Sequence, residues 1–82
     1  MNNYRELTAS QTAKINKENI KSFKIHFGYT PLVKRNIHNN NNFYIFKDSQ
    51  SVEDCNYKYT SHSIEEINGL IYGAVMGSNG IF

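Results

Sequence analysis

The sequence has 82 residues and contains one cysteine, one proline and no tryptophan. The lone Cys55 excludes an internal disulfide and any zinc site built from several cysteines. Because small secreted domains usually depend on such cross-links, we expect a protein of the reducing cytoplasm. The longest uncharged stretch, 67–82, is interrupted by glycines and asparagines, and the first residues lack the apolar run of a signal peptide. We therefore predict no transmembrane helix and no membrane partner.

Length and composition fit one small globular domain spanning residues 1–82. Hydrophobic residues make up 39% of the chain and aromatic residues 13%. This is enough apolar surface for a folded core, but a core of this size rarely contributes more than about 3–5 kcal/mol. We expect a marginally stable domain, or one that shares its stability with a partner.

Charge is distributed unevenly along the chain. Residues 1–47 carry eight lysines and arginines against two glutamates, whereas residues 48–82 carry one lysine against five acidic residues. Such a division is typical of two different interaction surfaces, or of a simple electrostatic dipole. The twelve asparagines, and the seven lysines against two arginines, indicate an AT-rich genome. Short chains of this composition are typical of accessory proteins of phages and other mobile elements.

The first 20 residues contain one helix signal. Thr8–Gln11 has the spacing of a capping box, which predicts a short helix over residues 9–19. The apolar face of this helix is narrow, so we expect residues 1–20 to form a weakly docked N-terminal helix or arm.

Residues 21–60 are predicted to form an antiparallel sheet of three to four strands. Phe23, Ile25 and Phe27 alternate with polar residues, which predicts a first strand with one buried face. The run Asn39–Asn42 is typical of a hairpin loop, because asparagine tolerates left-handed backbone conformations. The remaining predicted elements are strands over residues 32–37, 43–47 and 57–59 and a single turn capped by Ser51.

A C-terminal helix over residues 63–77 completes the predicted fold. Ser63 with Glu65 and Glu66 is typical of a helix start, and Gly77 of a helix end. Apolar residues recur at helical spacing and form a stripe that consists of Ile64, Ile67, Ile71, Ala74 and Val75. We predict a small α+β domain in which this helix covers one sheet face and its stripe contacts Phe23, Ile25 and Phe27.

The C-terminal helix also contains Gly69, Gly73 and Gly77 at intervals of four. Each interior glycine costs about 1 kcal/mol relative to alanine, so something must offset that cost. The simpler explanation is close packing of the helix on its own sheet. The alternative is a helix seam for a target protein or for a second copy in a homodimer.

Basic and tyrosine side chains are the candidate partner-binding residues. We predict that Lys24, His26, Lys34 and Arg35 line one sheet face, with Tyr44 and Tyr57 as stacking platforms. Lys14, Lys17 and Lys21 extend this basic surface along the arm. The acidic loop Asp48–Asp54 with Tyr57 and Tyr59 is a second surface, which can imitate a row of phosphates.

A helix, three strands and a helix follow one another in the order that resembles a double-stranded RNA-binding domain. The resemblance lies in element order alone and implies RNA binding through basic residues at the start of the last helix. Here that position is Ser61–Glu66, which is acidic. A net charge of +2 also gives little affinity for nucleic acid at physiological salt.

No catalytic constellation is visible in the sequence. Cys55 and the three histidines lack the short spacings of a metal site, and Glu65 and Glu66 point about 100° apart on a helix. We therefore predict a protein without enzymatic activity, cofactor or metal. The hypothesis that follows is a protein-binding module, an inhibitor or regulator that occupies a surface of a larger target. The alternative hypothesis is a nucleic-acid-binding domain that uses a basic sheet face.

Overall fold

The computed structural model of the protein describes residues 3–77. This part of the chain contains four strands and four helices. In chain order they are β1 (Tyr4–Glu6), α1 (Ala9–Thr12), α2 (Lys17–Phe27), β2 (Leu32–Asn36), β3 (Phe43–Phe46), α3 (Ser49–Glu53), β4 (Tyr59–Ser61) and α4 (Ile64–Val75).

The four strands form one antiparallel sheet in the order β1-β2-β3-β4. Tyr4 pairs with Asn36 between the first two strands, and Tyr44 pairs with Thr60 between the last two. The predicted α+β class, with a four-stranded antiparallel sheet and a C-terminal helix, is confirmed.

Successive residues of β3 separate the two faces of the sheet, because side chains alternate along a strand. Phe43 and Ile45 lie in the main buried cluster beneath α2 and α4. Tyr44 and Phe46 therefore lie on the opposite face. We call the face that carries Phe43 and Ile45 the helix-covered face. Its buried cluster consists of Phe23, Phe43, Ile45, Ile64, Ile67, Ile71 and Ala74.

Helix α4 forms where the sequence predicts it. The Ser63 hydroxyl accepts a hydrogen bond from the Glu66 amide and caps the helix start, as predicted. The stripe that begins at Ile64 is buried through Ala74, and Val75 packs against it. Gly77 adopts φ +76°, the left-handed conformation that commonly follows a helix, so the predicted stop is confirmed.

The predicted first strand is wrong, because residues 17–27 form helix α2. Phe23 and Phe27 are four residues apart and also match a helical period, which continues to Ile20. Phe23 joins the buried cluster. Ile25 is 87% exposed and lies outside that cluster, so its predicted contact with the α4 stripe is wrong. Gly28, at φ +83°, ends the helix.

The N-terminal segment also differs from its prediction. The Thr8–Gln11 capping box is present, but the helix it starts ends at Thr12. Asn16 caps α2 separately by accepting from the Glu18 and Asn19 amides. Residues 4–6 add the edge strand β1, which the sequence does not predict because three residues are too few to show a period of two.

The middle of the chain follows the prediction with two corrections. The strand β2 and the Asn39–Asn42 hairpin loop are confirmed, and the third predicted strand ends at Phe46. Asp48, rather than Ser51, caps α3, because its carboxylate accepts from the Ser51 amide and hydroxyl. The last strand comprises residues 59–61 instead of 57–59.

Helices α2 and α4 begin side by side. The backbone N–H of Asn16 donates to the Asn68 side-chain oxygen at 2.9 Å, and the Lys14 ammonium lies 3.2 Å from the Glu65 carboxylate. Both helices cover the same sheet face. The face that carries Tyr44 and Phe46 is left to the short helix α3 and to solvent.

Candidate functional site

A cluster of four aromatic rings occupies the sheet face opposite α2 and α4. We call it the tyrosine face and define it by Tyr4, Tyr44, Phe46 and Tyr57. The Tyr4 ring centroid lies 4.9 Å from those of Tyr44 and Phe46, in edge-on contacts. The Tyr44 and Tyr57 centroids are 5.1 Å apart. Ring contacts at these distances stabilise one another beyond simple burial and hold the cluster as a unit.

The tyrosine face combines a buried base with exposed edges. Phe46 is fully buried, whereas Tyr4 and Tyr44 are half-buried and Tyr57 is 42% exposed. Burial raises the pKa of Tyr4, and the nearby Cys55 thiol raises it further. The Tyr4 hydroxyl is therefore neutral at physiological pH. Such a surface offers apolar area and hydrogen-bonding hydroxyls together.

Helix α3 borders the tyrosine face. Val52 is buried against this side of the sheet, outside the main cluster. A shallow cavity of about 150 Å³ lies between α3 and β2, and its lining consists of Leu32, Lys34, Ser49, Val52 and Glu53. The burial of Val52 against the sheet holds α3 next to the aromatic rings.

Acidic residues accompany α3. Asp48, Glu53 and Asp54 are all exposed. Hydrogen bonds from the amide and hydroxyl of Ser51 hold the pKa of Asp48 below its ordinary value, so this carboxylate keeps its charge. The acidic segment therefore lies beside the tyrosine face. That this segment and Tyr57 together bind a partner stays a prediction.

The predicted basic sheet face is not assembled, because Lys34 and Arg35 point to opposite sides of β2. Lys34 pairs in register with Tyr44 and lies on the tyrosine face, where its ammonium contacts the Glu6 carboxylate. Arg35 pairs with Phe43. Its guanidinium donates to the Glu6 carbonyl at 2.9 Å and to the Asn40 side chain at 2.6 Å, which fixes the hairpin.

Lys24 and His26 lie on α2 rather than on the sheet. Both are exposed in the last turn of the helix, and the His26 ring meets Phe27 edge-on at 4.8 Å. Lys17, Lys21 and Lys24 are all exposed and spaced by four and three residues. The structure therefore contains a lysine row on one side of α2, away from Tyr44 and Tyr57.

Tyr59 also lies apart from Tyr57. It pairs with Ile45 on the helix-covered face, and its hydroxyl donates to the Glu66 carboxylate at the start of α4. This bond lowers the pKa of Glu66 and raises that of Tyr59. Tyr59 thus connects β4 to α4.

Of the three glycines predicted to form a seam on α4, the first, Gly69, faces solvent. Gly69 is exposed, and an added Cβ would meet no atom within 4 Å. Tyr72 and Met76 follow it on the outer side, 51% and 64% exposed. Gly73 is half-buried, and Gly77 needs its glycine for the positive φ. Packing on the sheet does not explain Gly69.

The residues considered for catalysis and metal binding include Cys55, which lies near Tyr4. Cys55 is exposed, and its φ of +55° places it in a conformation uncommon for a side-chain-bearing residue. Among residues 3–77, no group of three or more histidine, cysteine or acidic side chains is arranged to hold a metal ion. None of the helices in this range is long and apolar enough to cross a membrane.

No known protein family, curated protein or solved structure matches this chain. The sequence pointed to Tyr44 and Tyr57, which the structure brings together, but it missed Tyr4 and Phe46. The signal for Phe46 was its alternation with Ile45 in a strand apolar on both faces, whereas Tyr4 becomes visible only once β1 is paired.

Proposed function

We propose that the protein is a non-enzymatic protein-binding module that uses the tyrosine face to occupy a surface of a larger target. The observation that carries the proposal is the contiguous ring cluster on a sheet face that α2 and α4 leave uncovered. Tyrosine supplies a large contact area at low conformational-entropy cost and is enriched at protein interfaces.

The charges around the tyrosine face favour a protein partner over nucleic acid. Asp48, Glu53 and Asp54 border the rings through α3, and carboxylates repel a phosphate backbone. Lys34, the cation of β2 on this face, already contacts Glu6. A protein surface accommodates such mixed charge because its own charges can be arranged to match.

In this proposal the protein is a small inhibitor or regulator that acts in the cytoplasm and is encoded by a phage or another mobile element. Its small size and single cysteine support the cytoplasmic setting, and its composition supports the origin. Covering a site of the target requires no catalytic group.

The test compares two exposed tyrosines in affinity capture from a lysate of the host cells. Tyr57→Ala should lose a stoichiometric target that the wild type retains, because Tyr57 is the most exposed ring of the tyrosine face. Tyr72→Ala is the matched control, since Tyr72 is comparably exposed but lies on α4. Circular dichroism checks that both variants are folded. Equal capture by both variants, or no target for the wild type, contradicts the proposal.

A second candidate function is nucleic-acid binding through the lysine row of α2, formed by Lys17, Lys21 and Lys24. The row is the one part of the predicted basic surface that lies together, although Lys21 also contacts Glu18 at 3.6 Å. Titration with duplex and single-stranded DNA and RNA at two salt concentrations tests it. Three neutralised phosphates of duplex DNA predict a salt slope of roughly −2.7, and no binding at low salt excludes this function.

A homodimer through the outer side of α4 is a further proposal about partners. Open space at Gly69 and the exposed Tyr72 and Met76 support it, because a second helix can approach a glycine closely. It does not compete with target binding, since α4 and the tyrosine face lie on opposite sides of the sheet.

A further inference from the structure

The exposed charge beside the tyrosine face is mostly negative. Asp48, Glu53 and Asp54 are exposed, and within residues 3–77 none of them takes part in a salt bridge. The Gln50 side chain donates to the Asp54 carboxylate at 3.1 Å, a contact that holds this group without neutralising it. A protein surface that covers this end of the face must therefore supply positive charge of its own.

The cation of β2 on the same face does not offset these charges. Lys34 contacts Glu6, and its side chain is only 16% exposed, whereas that of Glu6 is 84% exposed. Glu53 lines the cavity between α3 and β2 together with Lys34. Two carboxylates thus adjoin one ammonium, and the ammonium is the more covered group. A further cation, Lys58, follows Tyr57 and lies towards β4, away from α3.

Aromatic rings adjoin the same carboxylates. Asp54 is followed directly by Cys55, whose thiol lies against the Tyr4 hydroxyl, and Tyr57 comes two residues later. The turn after α3 therefore runs along the edge of the ring cluster, and Tyr57 exposes 42% of its surface there. An arginine guanidinium can stack on such a ring and pair with a carboxylate at the same time, because it is planar and carries several N–H donors.

We propose that the target presents a basic surface to the tyrosine face, with an arginine that stacks on Tyr57 and pairs with the carboxylates of α3. The inference rests on the proposed function and specifies the chemistry of the partner. Arginine fits this surface better than lysine, because the lysine ammonium is compact and strongly hydrated and has no plane to lay on a ring. Arginine and tyrosine are also the residues that commonly dominate the binding energy of protein interfaces.

The first test uses capped peptides of the form Gly-X-Gly-X-Gly as probes, where X is arginine, citrulline or lysine. Citrulline has nearly the shape of arginine without its charge, and lysine has the charge without the planar group. In NMR titrations the arginine peptide should shift the amide resonances of residues 48–57. It should bind roughly tenfold more tightly than the citrulline peptide, which loses both contacts, and roughly threefold more tightly than the lysine peptide, which loses the stacking.

Variants of the protein locate the binding. The double variant Glu53→Gln, Asp54→Asn should weaken binding of the arginine peptide roughly threefold, and so should Tyr57→Ala. Glu18→Gln is the matched control, because it removes an exposed carboxylate from α2 and should leave the affinity unchanged. Asp48 is retained throughout, since its carboxylate caps α3. Circular dichroism checks that each variant is folded.

Three results overturn the inference: citrulline or lysine peptides that bind as tightly as arginine, shifts confined to α2 or α4, and unchanged affinity of the double variant. The captured target separates this inference from the proposed function. A target that Tyr57→Ala loses, but that the double variant binds as tightly as the wild type does, contradicts only the basic surface. Selective arginine binding at residues 48–57 without any captured target contradicts only the proposed function.

Discussion

The two faces of the sheet use apolar residues for different ends. On the helix-covered face, isoleucines of β3 and α4 pack together, and Ile45, Ile67 and Ile71 are fully buried. On the tyrosine face, Phe46 is fully buried, whereas Tyr4 and Tyr44 are half-buried and Tyr57 is 42% exposed. Aliphatic side chains have no polar end to expose, while tyrosine has one. The choice of residue thus separates the face that holds the fold from the face we propose for binding.

The largest expected effect comes from the helix-covered face. Ile71→Ala should lower the free energy of unfolding by about 2–5 kcal/mol, because it removes buried methyl groups and leaves a cavity. Ile25→Ala is the matched control, since the same residue type at 87% exposure should change stability by less than about 0.5 kcal/mol. Urea unfolding measures both. A large loss for Ile25→Ala would place that residue in an interface.

Ile71 and Ile25 also show what the sequence could and could not predict. The stripe of α4 has a single interpretation, because Ile64, Ile67 and Ile71 fit a helical period and no strand period. Phe23 and Phe27 fit both periods, and Ile25 tipped the interpretation toward a strand. The deciding signals were caps at the helix ends, Asn16 and Gly28, which carry more information here than the alternation does.

The candidate site was less predictable than the fold. Tyr44 and Tyr57 lie in neighbouring segments whose order along the sheet follows from hairpins, so their proximity was accessible from the sequence. The contribution of Tyr4 depends on pairing with Asn36, more than 25 residues further along the chain. Long-range pairing of a three-residue strand leaves almost no local pattern, and the basic sheet face failed because it assumed a strand where α2 lies.

The outer side of α4 is a third surface to compare with the two sheet faces. Alanine substitutions at Gly69 and Gly77 should change the stability of the protein in opposite directions. Gly77→Ala should destabilise the protein by about 1–2 kcal/mol, because its φ of +76° strains any side chain. Gly69→Ala should stabilise it by about 1 kcal/mol, because the added methyl meets open space and alanine favours the helix. Thermal unfolding measures both, with light scattering of the wild type alongside. A destabilising Gly69→Ala, or a dimer that it dissociates, would show that the seam is occupied by a second copy.

The smallest expected effect separates two tyrosines whose pKa values are raised for different reasons. Burial is the main cause at Tyr4, on the tyrosine face, whereas at Tyr59 it is the hydrogen bond to Glu66. That bond stabilises the fold while Glu66 is ionised and Tyr59 is protonated. Its contribution is therefore lost as the pH falls through the lowered pKa of Glu66, below the ordinary 4.5, and as it rises through the raised pKa of Tyr59, above the ordinary 10.0.

Substitution at each end of the bond tests this assignment. Tyr59→Phe should let the pKa of Glu66 rise toward its ordinary value in an NMR titration, while Tyr4→Phe, the matched control, should leave it unchanged. Glu66→Gln should bring the ionisation of Tyr59, followed by ultraviolet absorption, back toward the ordinary value and leave Tyr4 raised. If Tyr4 moved with Glu66, the two faces of the sheet would be electrostatically coupled, and the separation between a structural face and a binding face would no longer hold.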